Sequence, residues 1–248
     1  DNASTTKVPK EVIKAMLPYF DERFGNASSM HNVGQEAKDG LENSRKIIAK
    51  SIGAKPEEII FTSGGTESNN FALKGIAFAN KEKGNHIITT KVEHKSILNT
   101  CEWLETQGFK TTYLNVDKEG FVNLKELENA ITDKTIIVSI IHGNNEIGTI
   151  NDLTEIGKIC KQHNVYFHTD ACQSYTKTPI DVNAMNLNLV TINSHKIHGP
   201  KGVGALFIRQ GTKIKSWQHG GAHEFGLRAG TENVPGIVGF AKAVEIAN

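Results

Sequence analysis

The sequence is poor in several features that mark particular classes of protein. Only three of its 248 residues are cysteines and none of them form a CxxC pair, which excludes a disulfide framework and a CxxC-type zinc or thioredoxin site. Lysine plus arginine number 28 and aspartate plus glutamate 27, so the net charge of +1 offers nucleic acid and anionic lipid no general attraction. No apolar run is long enough to span a bilayer. We therefore expect no direct nucleic-acid partner, no membrane contact, and residence in the cytoplasm or another reducing compartment such as the mitochondrial matrix.

Apolar runs of strand length alternate with helical patterns along the chain, which predicts an α/β fold with a mostly parallel sheet sandwiched by helices. The predicted strands cover 58–62, 86–90, 109–114, 135–141, 165–169, 187–193 and 204–208. The longer predicted helices cover 37–52, 67–80, 95–106, 123–131 and 153–163. The run 135–141 is the richest in β-branched residues and is predicted to be a central strand.

Ligands of open α/β sheets bind beyond the carboxyl ends of the strands, and three chemically suggestive features follow predicted strands here. The turn 63–66, Ser-Gly-Gly-Thr, precedes a helix whose free N–H groups suit a phosphate, although it also fits an ordinary capped turn. Asp170 suits a cationic ring nitrogen or a metal, or alternatively caps a helix. Lys196 suits an imine with a carbonyl group, or alternatively lies on the surface.

Taken together, these three features match the requirements of pyridoxal 5'-phosphate. That cofactor needs an anchor for its phosphate, a carboxylate that keeps its ring nitrogen protonated, and a lysine that holds its aldehyde as an imine. An aromatic group must also flank the ring, and His94 is a candidate for it, with a capping or surface histidine as the alternative.

Eight blocks, in order along almost the whole chain, give the sequence a specific family resemblance. They lie at 1–6 (DNASTT), 24–29 with His31, 61–70 (FTSGGTESNN), 93–95 (EHK), 144–148 (NNEIG), 170–173 (DACQ), 195–202 (HKIHGPKG) and 220–233. In these blocks the chain resembles the NifS/IscS-type cysteine desulfurases, which belong to the class V aminotransferase-like, fold-type-I enzymes that use pyridoxal phosphate.

The resemblance implies a role for each of five residues around the cofactor ring and the substrate. Lys196 would bind the cofactor covalently and later move the substrate α-proton. His94 would stack on the ring and take part in proton transfer. Asp170 would pair with the ring nitrogen, Gln173 with the phenolic oxygen, and Asn145 would help to place the substrate carboxylate.

The resemblance also implies how the cofactor phosphate is held. The phosphate ligands would be Gly65, Thr66, Asn193 and His195. The family usually has a serine where Asn193 stands, so Ser194 is an alternative contact to Asn193. Thr231 would reach the phosphate of a partner subunit, which implies a homodimer.

The activity that the resemblance implies is conversion of L-cysteine to L-alanine, with the sulfur left on the enzyme as a persulfide. An iron–sulfur scaffold or another acceptor protein would then take the sulfur for cluster assembly or tRNA thiolation. A selenocysteine lyase or another class V lyase is the alternative within the family. A catalytically silent scaffold that binds sulfur-transfer partners is the other alternative, although it would not need the four residues Lys196, Asp170, His94 and Gln173.

The division of the chain also follows from the resemblance. Residues 1–12 would begin a small domain, 13–235 would form the cofactor-binding large domain, and 236–248 would start the helix that leads to the rest of the small domain. The family's nucleophilic cysteine would lie in a later loop that is absent from this chain, so we expect cofactor binding without full turnover from these residues alone.

The chain's own cysteines and histidines are expected to play other parts. Cys101 and Cys160 fall on predicted helices as buried small residues, and Cys172 would lie under the cofactor, badly placed to attack a substrate sulfur. The histidine pairs 195/198 and 219/223 have spacings that can bind metal, but neither an HExxH motif nor a carboxylate set accompanies them. We therefore expect no metal site.

Overall fold

A computed structural model describes residues 1–247, which form seven α-helices around one seven-stranded sheet. The helices are α1 (Lys10–Met16), α2 (Asn32–Ser51), α3 (Gly65–Ala79), α4 (Lys95–Thr106), α5 (Leu124–Ala130), α6 (Leu153–Gln162) and α7 (Val234–Ala247). The strands are β1 (Ile59–Thr62), β2 (His86–Thr90), β3 (Lys110–Leu114), β4 (Thr135–Ser139), β5 (Tyr166–Asp170), β6 (Leu189–Asn193) and β7 (Gly204–Ile208).

The sheet has the order β1-β7-β6-β5-β4-β2-β3, with β7 as its antiparallel member. Because β7 runs against both of its neighbours, β1 has the same direction as β6 and the remaining strands. Six carboxyl ends therefore meet at one edge of the sheet, where loops of an open α/β fold bind ligands. The predicted fold class is confirmed.

Two apolar layers cover the two faces of the sheet, as the continuous burial of its central strands requires. Within β4, Ile137 packs into the layer of α3 and α4, whereas Val138 packs into the layer that contains α1, α2, α6 and α7. Neighbouring residues of a strand point to opposite faces, so a strand buried on both sides has to be apolar at nearly every position. The run 135–141 was predicted as central for this reason, and β4 is an interior strand.

Most predicted elements appear within a few residues of their expected bounds, and the largest difference is at the start of α2. The apolar pattern predicts a helix from 37, but α2 begins at Asn32 because the side chain of His31 caps it, with Nδ1 accepting from Gly34 N at 3.3 Å. This cap precedes the first apolar turn, so hydrophobic periodicity does not reveal it.

The two chain segments assigned to a small domain both contact the large one. Residues 1–6 lie against the loop after β6, and α7 packs against α1 and α2 with Val234, Ile237, Phe240 and Val244 buried. The proposed boundaries near 12 and 235 stay predictions. Within residues 1–247, the helices are too short or too polar to cross a bilayer.

Candidate active site

A cavity of about 440 Å³ opens at the carboxyl edge of the sheet. Nine of the eleven residues predicted for the site line it: Gly65, Thr66, His94, Asn145, Asp170, Gln173, Asn193, His195 and Lys196. They lie at the carboxyl ends of β1, β2, β4, β5 and β6 or in the segments that directly follow these strands. The strand directions bring together residues that lie up to about half the chain apart, and the cavity is large enough for a small cofactor.

The turn between β1 and α3 gives the cavity a site suited to an anion. Gly64 has a φ of 151°, a conformation that side chains disfavour, and the helix starts at the next residue. Among residues 1–247, no side chain caps this start, so N–H groups of the first turn are free for a ligand. A Cβ on Gly65 would lie 2.4 Å from Cys172 Sγ. Glycine is therefore needed at this position, because the start of α3 approaches Cys172 so closely.

Asp170, the last residue of β5, is buried at the base of the cavity with both oxygens accepting hydrogen bonds. Its Oδ1 accepts from Cys172 N at 2.9 Å, and its Oδ2 accepts from Asn69 Nδ2 at 2.7 Å. The first bond stabilises a turn and not a helix, because no helix lies in the described segment between β5 and β6, so the helix-capping alternative is wrong. Both bonds hold the carboxylate in one orientation and leave it facing the cavity.

His94 lines the cavity and also caps α4, so the two interpretations of this residue are compatible. Its Nδ1 accepts from Ser96 N at 3.1 Å and lies 2.8 Å from Ser96 Oγ. A nitrogen that accepts from a backbone N–H carries no hydrogen itself. In the neutral ring, the hydrogen therefore sits on Nε2.

Lys196 and His195 follow β6 in a loop that the N-terminal segment holds in place. Thr6 Oγ1 donates to His195 O at 2.8 Å and accepts from His198 N at 2.8 Å. Burial lowers the pKa of His195, and the nearby charge of Lys196 adds to this effect. Lys177 also has a lowered pKa, first from burial and then from Lys196. The positive charge of Lys196, which acts on both neighbours, thus favours an anionic ligand on this side of the cavity.

Two further predicted residues are positioned by loops rather than strands. Gln173 donates through Nε2 to Ala3 O at 3.1 Å, so the N-terminal segment also orients this side chain. Asn145 lies in a turn that Asn144 stabilises, with Asn144 Oδ1 accepting from Glu146 N at 2.9 Å. Both side chains are half-buried at the cavity wall.

The other two predicted residues lie outside the lining of this cavity. Ser194 is fully buried, and a Cβ on Gly199 would lie 2.0 Å from its Oγ, so the hydroxyl is enclosed by the loop after β6. Asn193 rather than Ser194 lines the cavity. Thr231 is exposed near the start of α7, and its assignment to a partner subunit stays a prediction.

All three cysteines are buried, as predicted for Cys101 and Cys160. Burial raises the pKa of Cys101 and of Cys160 to about 12. Cys172 forms part of the cavity floor, and burial together with the Asp170 carboxylate raises its pKa well above the usual value. A thiol attacks as its thiolate, so none of the three is set up as a nucleophile.

The histidine pairs considered for metal binding are engaged with the protein. His198 Nδ1 lies 3.0 Å from Lys7 O, and His219 Nε2 lies 3.1 Å from Ser216 Oγ. His223 Nδ1 accepts from Gly230 N at 3.3 Å. Over residues 1–247, no group of three or more His, Cys, Asp or Glu side chains is arranged to hold a metal ion.

The family model described as "Aminotransferase class-V" matches residues 1–248, the whole chain. The chain belongs to the aminotransferase class-V family. Among curated relatives, the chain is 56% identical over 247 residues to the cysteine desulfurase IscS of Methanosarcina thermophila, and it covers 61% of that protein. It is 53% identical over 247 residues to the cysteine desulfurase IscS of Clostridium botulinum (strain Hall), with 62% of that protein covered. The chain thus spans about three fifths of the length of these relatives.

Solved structures show that the chain is also similar to such proteins in its fold. A structure titled "NIFS-LIKE PROTEIN" superposes with a TM-score of 0.97 at 43% identity, over 100% of this chain and 68% of that one. "SspA in complex with cysteine" superposes with a TM-score of 0.96 at 43% identity, over 99% of this chain and 71% of that one. The fold is therefore that of the cysteine desulfurases, as the resemblance predicted.

Two buried polar residues of the cavity were not predicted as site residues. Asn69 and Ser96 both line it and both are buried. Asn69 lies four residues after Gly65, on the same face of α3, and Ser96 lies two residues after His94. The four-residue helical spacing was the available signal for Asn69, whereas the position of Ser96 follows only from the capping geometry of α4.

Proposed function

We propose that this chain is the pyridoxal 5'-phosphate-binding part of a cysteine desulfurase. The observation that carries the proposal is one cavity that collects Lys196, Asp170 and His94 beside the uncapped start of α3. An amine, an oriented carboxylate, an aromatic ring and an anion site are the groups this cofactor requires. The cradle at Gly65, where a Cβ would meet Cys172 Sγ, supports the fit.

The cofactor's phosphate, in this proposal, binds at the start of α3. Backbone N–H groups at Gly65 and Thr66 donate to it, because a helix N-terminus combines free donors with a favourable dipole. The side chains of Asn193 and His195 complete the anion site from the loop after β6. The cationic groups on this side of the cavity favour the bound anion further.

His94 and Asp170 would, in this proposal, hold the cofactor ring. When bound, the cofactor supplies an electron-withdrawing ring that stabilises negative charge at the carbon next to the substrate amino group. The Asp170 carboxylate would keep the ring nitrogen protonated, and Gln173 would donate to the phenolic oxygen. Lys196 Nζ would hold the cofactor through its aldehyde and would move the substrate α-proton.

L-Cysteine is the proposed substrate, with Asn145 placing its carboxylate and L-alanine as the product. An enzyme thiolate other than Cys101, Cys160 and Cys172, which are buried and protonated, would attack the substrate sulfur, so that the sulfur's bond to carbon breaks and the enzyme keeps the sulfur as a persulfide. We further propose a homodimer in which Thr231 reaches the partner's site, and an iron–sulfur scaffold or similar protein that takes the sulfur in the cytoplasm or another reducing compartment.

The test is cofactor binding by the purified protein. We expect added pyridoxal phosphate to give an imine absorbance in the near-ultraviolet to visible range, and Lys196→Ala to abolish it. Lys201→Ala, an exposed lysine in the same loop, is the matched control and keeps the absorbance. An imine band that persists in Lys196→Ala would refute the assignment. In a protein that also carries the nucleophilic cysteine, alanine release from L-cysteine, compared with L-selenocysteine, then separates a desulfurase from a selenocysteine lyase.

A further inference from the structure

A buried asparagine connects two proposed cofactor-binding groups that lie on different elements. Asn69, on α3, is 1% exposed and lies between the end of β5 and the start of α4. Its Nδ2 donates to Asp170 Oδ2 at 2.7 Å and to Ser96 Oγ at 2.8 Å. An amide NH2 has two hydrogens, so both are used, one toward each group.

The hydrogen positions along this connection follow from its ends. Ser96 Oγ accepts from Asn69, and its own hydrogen is therefore available to His94 Nδ1, 2.8 Å away. His94 Nδ1 must be an acceptor, because Ser96 N also donates to it. The direction of donation is thus fixed from Asn69 through Ser96 to His94, and from Asn69 to Asp170.

The orientation of the Asn69 amide is fixed as well. A flipped amide would place Oδ1 against the Asp170 carboxylate and against Ser96 Oγ. An amide oxygen can only accept a hydrogen bond, and the carboxylate has no hydrogen to donate to it. Among residues 1–247, Asn69 Oδ1 is buried without a hydrogen-bond partner. Leaving a buried acceptor unpaired costs free energy. The observed orientation of the amide therefore keeps the two bonds that Nδ2 donates and gives up a bond to Oδ1.

We infer that Asn69 is a positioning residue that holds the Asp170 carboxylate and, through Ser96, the His94 ring in the arrangement that the cofactor ring requires. It acts on the ring only through these two groups. The inference rests on the proposed function, because it assigns Asp170 and His94 to the ring. It adds that one amide sets the orientation of both.

The first test measures the hydrogen bonds in the protein without added cofactor. We expect nitrogen-15 NMR of wild-type His94 to report hydrogen on Nε2. Ser96→Ala removes the hydroxyl donor to Nδ1 but keeps the backbone donor Ser96 N, so we expect the Nδ1 resonance to shift while the hydrogen stays on Nε2. His94 resonances that stay at their wild-type positions in Ser96→Ala would overturn the link through Ser96, whatever the cofactor does.

The second test measures cofactor affinity. Asn69→Ala removes the charge-assisted bond to Asp170, and we expect the dissociation constant of pyridoxal phosphate to rise about tenfold, the effect of one such bond. Asn69→Leu keeps a similar volume, removes both N–H groups without adding a charge, and is expected to act in the same direction. Asn70→Ala is the matched control, since Asn70 donates to Thr66 O near the surface.

The outcomes separate the inference from the proposed function. A wild-type protein that does not bind pyridoxal phosphate refutes the proposed function. A wild type that binds, with both Asn69 variants folded by circular dichroism and equal to Asn70→Ala in affinity, overturns the inference. If both Asn69 variants unfold, Ser96→Ala decides: an altered His94 spectrum supports the connection, and an unaltered one overturns it.

Discussion

The ion pair between Arg45 and Glu224 makes a sharp stability prediction, because both side chains are 2% exposed. Glu224 accepts from Arg45 Nη1 and Nη2, both at 2.8 Å, and from Phe61 N at 2.6 Å. Arg45 Nη1 also donates to Ile59 O at 2.7 Å. The pair therefore connects α2, the first strand and the segment after β7 in one buried network.

Glu224→Ala leaves the Arg45 guanidinium buried without its main counter-charge. Burial alone lowers the pKa of Arg45, but the hydrogen bonds and charge of Glu224 outweigh it and raise that pKa, so the arginine stays charged in the fold. Breaking such a pair costs about 3–5 kcal/mol of the free energy of unfolding. For a chain of this size, the melting temperature should fall by roughly 6–20 °C.

Urea unfolding followed by circular dichroism measures the loss, and amide hydrogen exchange localises it to Phe61 N. The matched control is Glu245→Ala, which breaks the exposed pair with Lys242 (45% and 39% exposed) and should cost no more than about 0.5 kcal/mol. A loss from Glu224→Ala no larger than that of the control, or unchanged exchange at Phe61, would refute the reasoning.

Two further predictions concern the cavity and its surroundings. Gly65→Ala would place a Cβ 2.4 Å from Cys172 Sγ, so we expect the free energy of unfolding to fall by about 1–3 kcal/mol. Adding Cys172→Ala should recover most of this loss. No recovery would contradict the steric explanation. Burial raises the pKa of Glu93 from 4.5 to about 8, so the fold keeps a proton that the unfolded chain loses. The stability from that proton is full below pH 4.5 and is lost as the pH rises through about 8. Between pH 5 and pH 9, the melting temperature of Glu93→Gln should therefore rise relative to that of the wild type. A difference between the two melting temperatures that does not change with pH would disprove the assignment.

The sequence was most informative where a residue follows a strand. Asp170 and Asn193 end β5 and β6, and Lys196 lies three residues further on. Parallel strands bring such positions to one edge of the sheet, so their proximity followed from the α/β pattern before any coordinates. The start of α2 at Asn32 was missed because a histidine cap leaves no trace in hydrophobic periodicity.

Residues that act through other side chains could not be predicted from the sequence. Asn69 is one of two adjacent asparagines, and only the packing of α3 on the sheet decides which of them reaches Asp170. The choice between Asn193 and Ser194 likewise depended on how the loop after β6 closes over the serine.

The sequence alone determined the fold class, the family and most residues of the candidate site, because periodicity and motif order are local properties of the chain. Tertiary structure alone decided which polar groups touch. The donation from Asn69 to both Asp170 and Ser96, and the Arg45–Glu224 pair 179 residues apart, depend on distances of about 3 Å between distant segments. Contacts of that kind arise only when the helices have packed against the sheet.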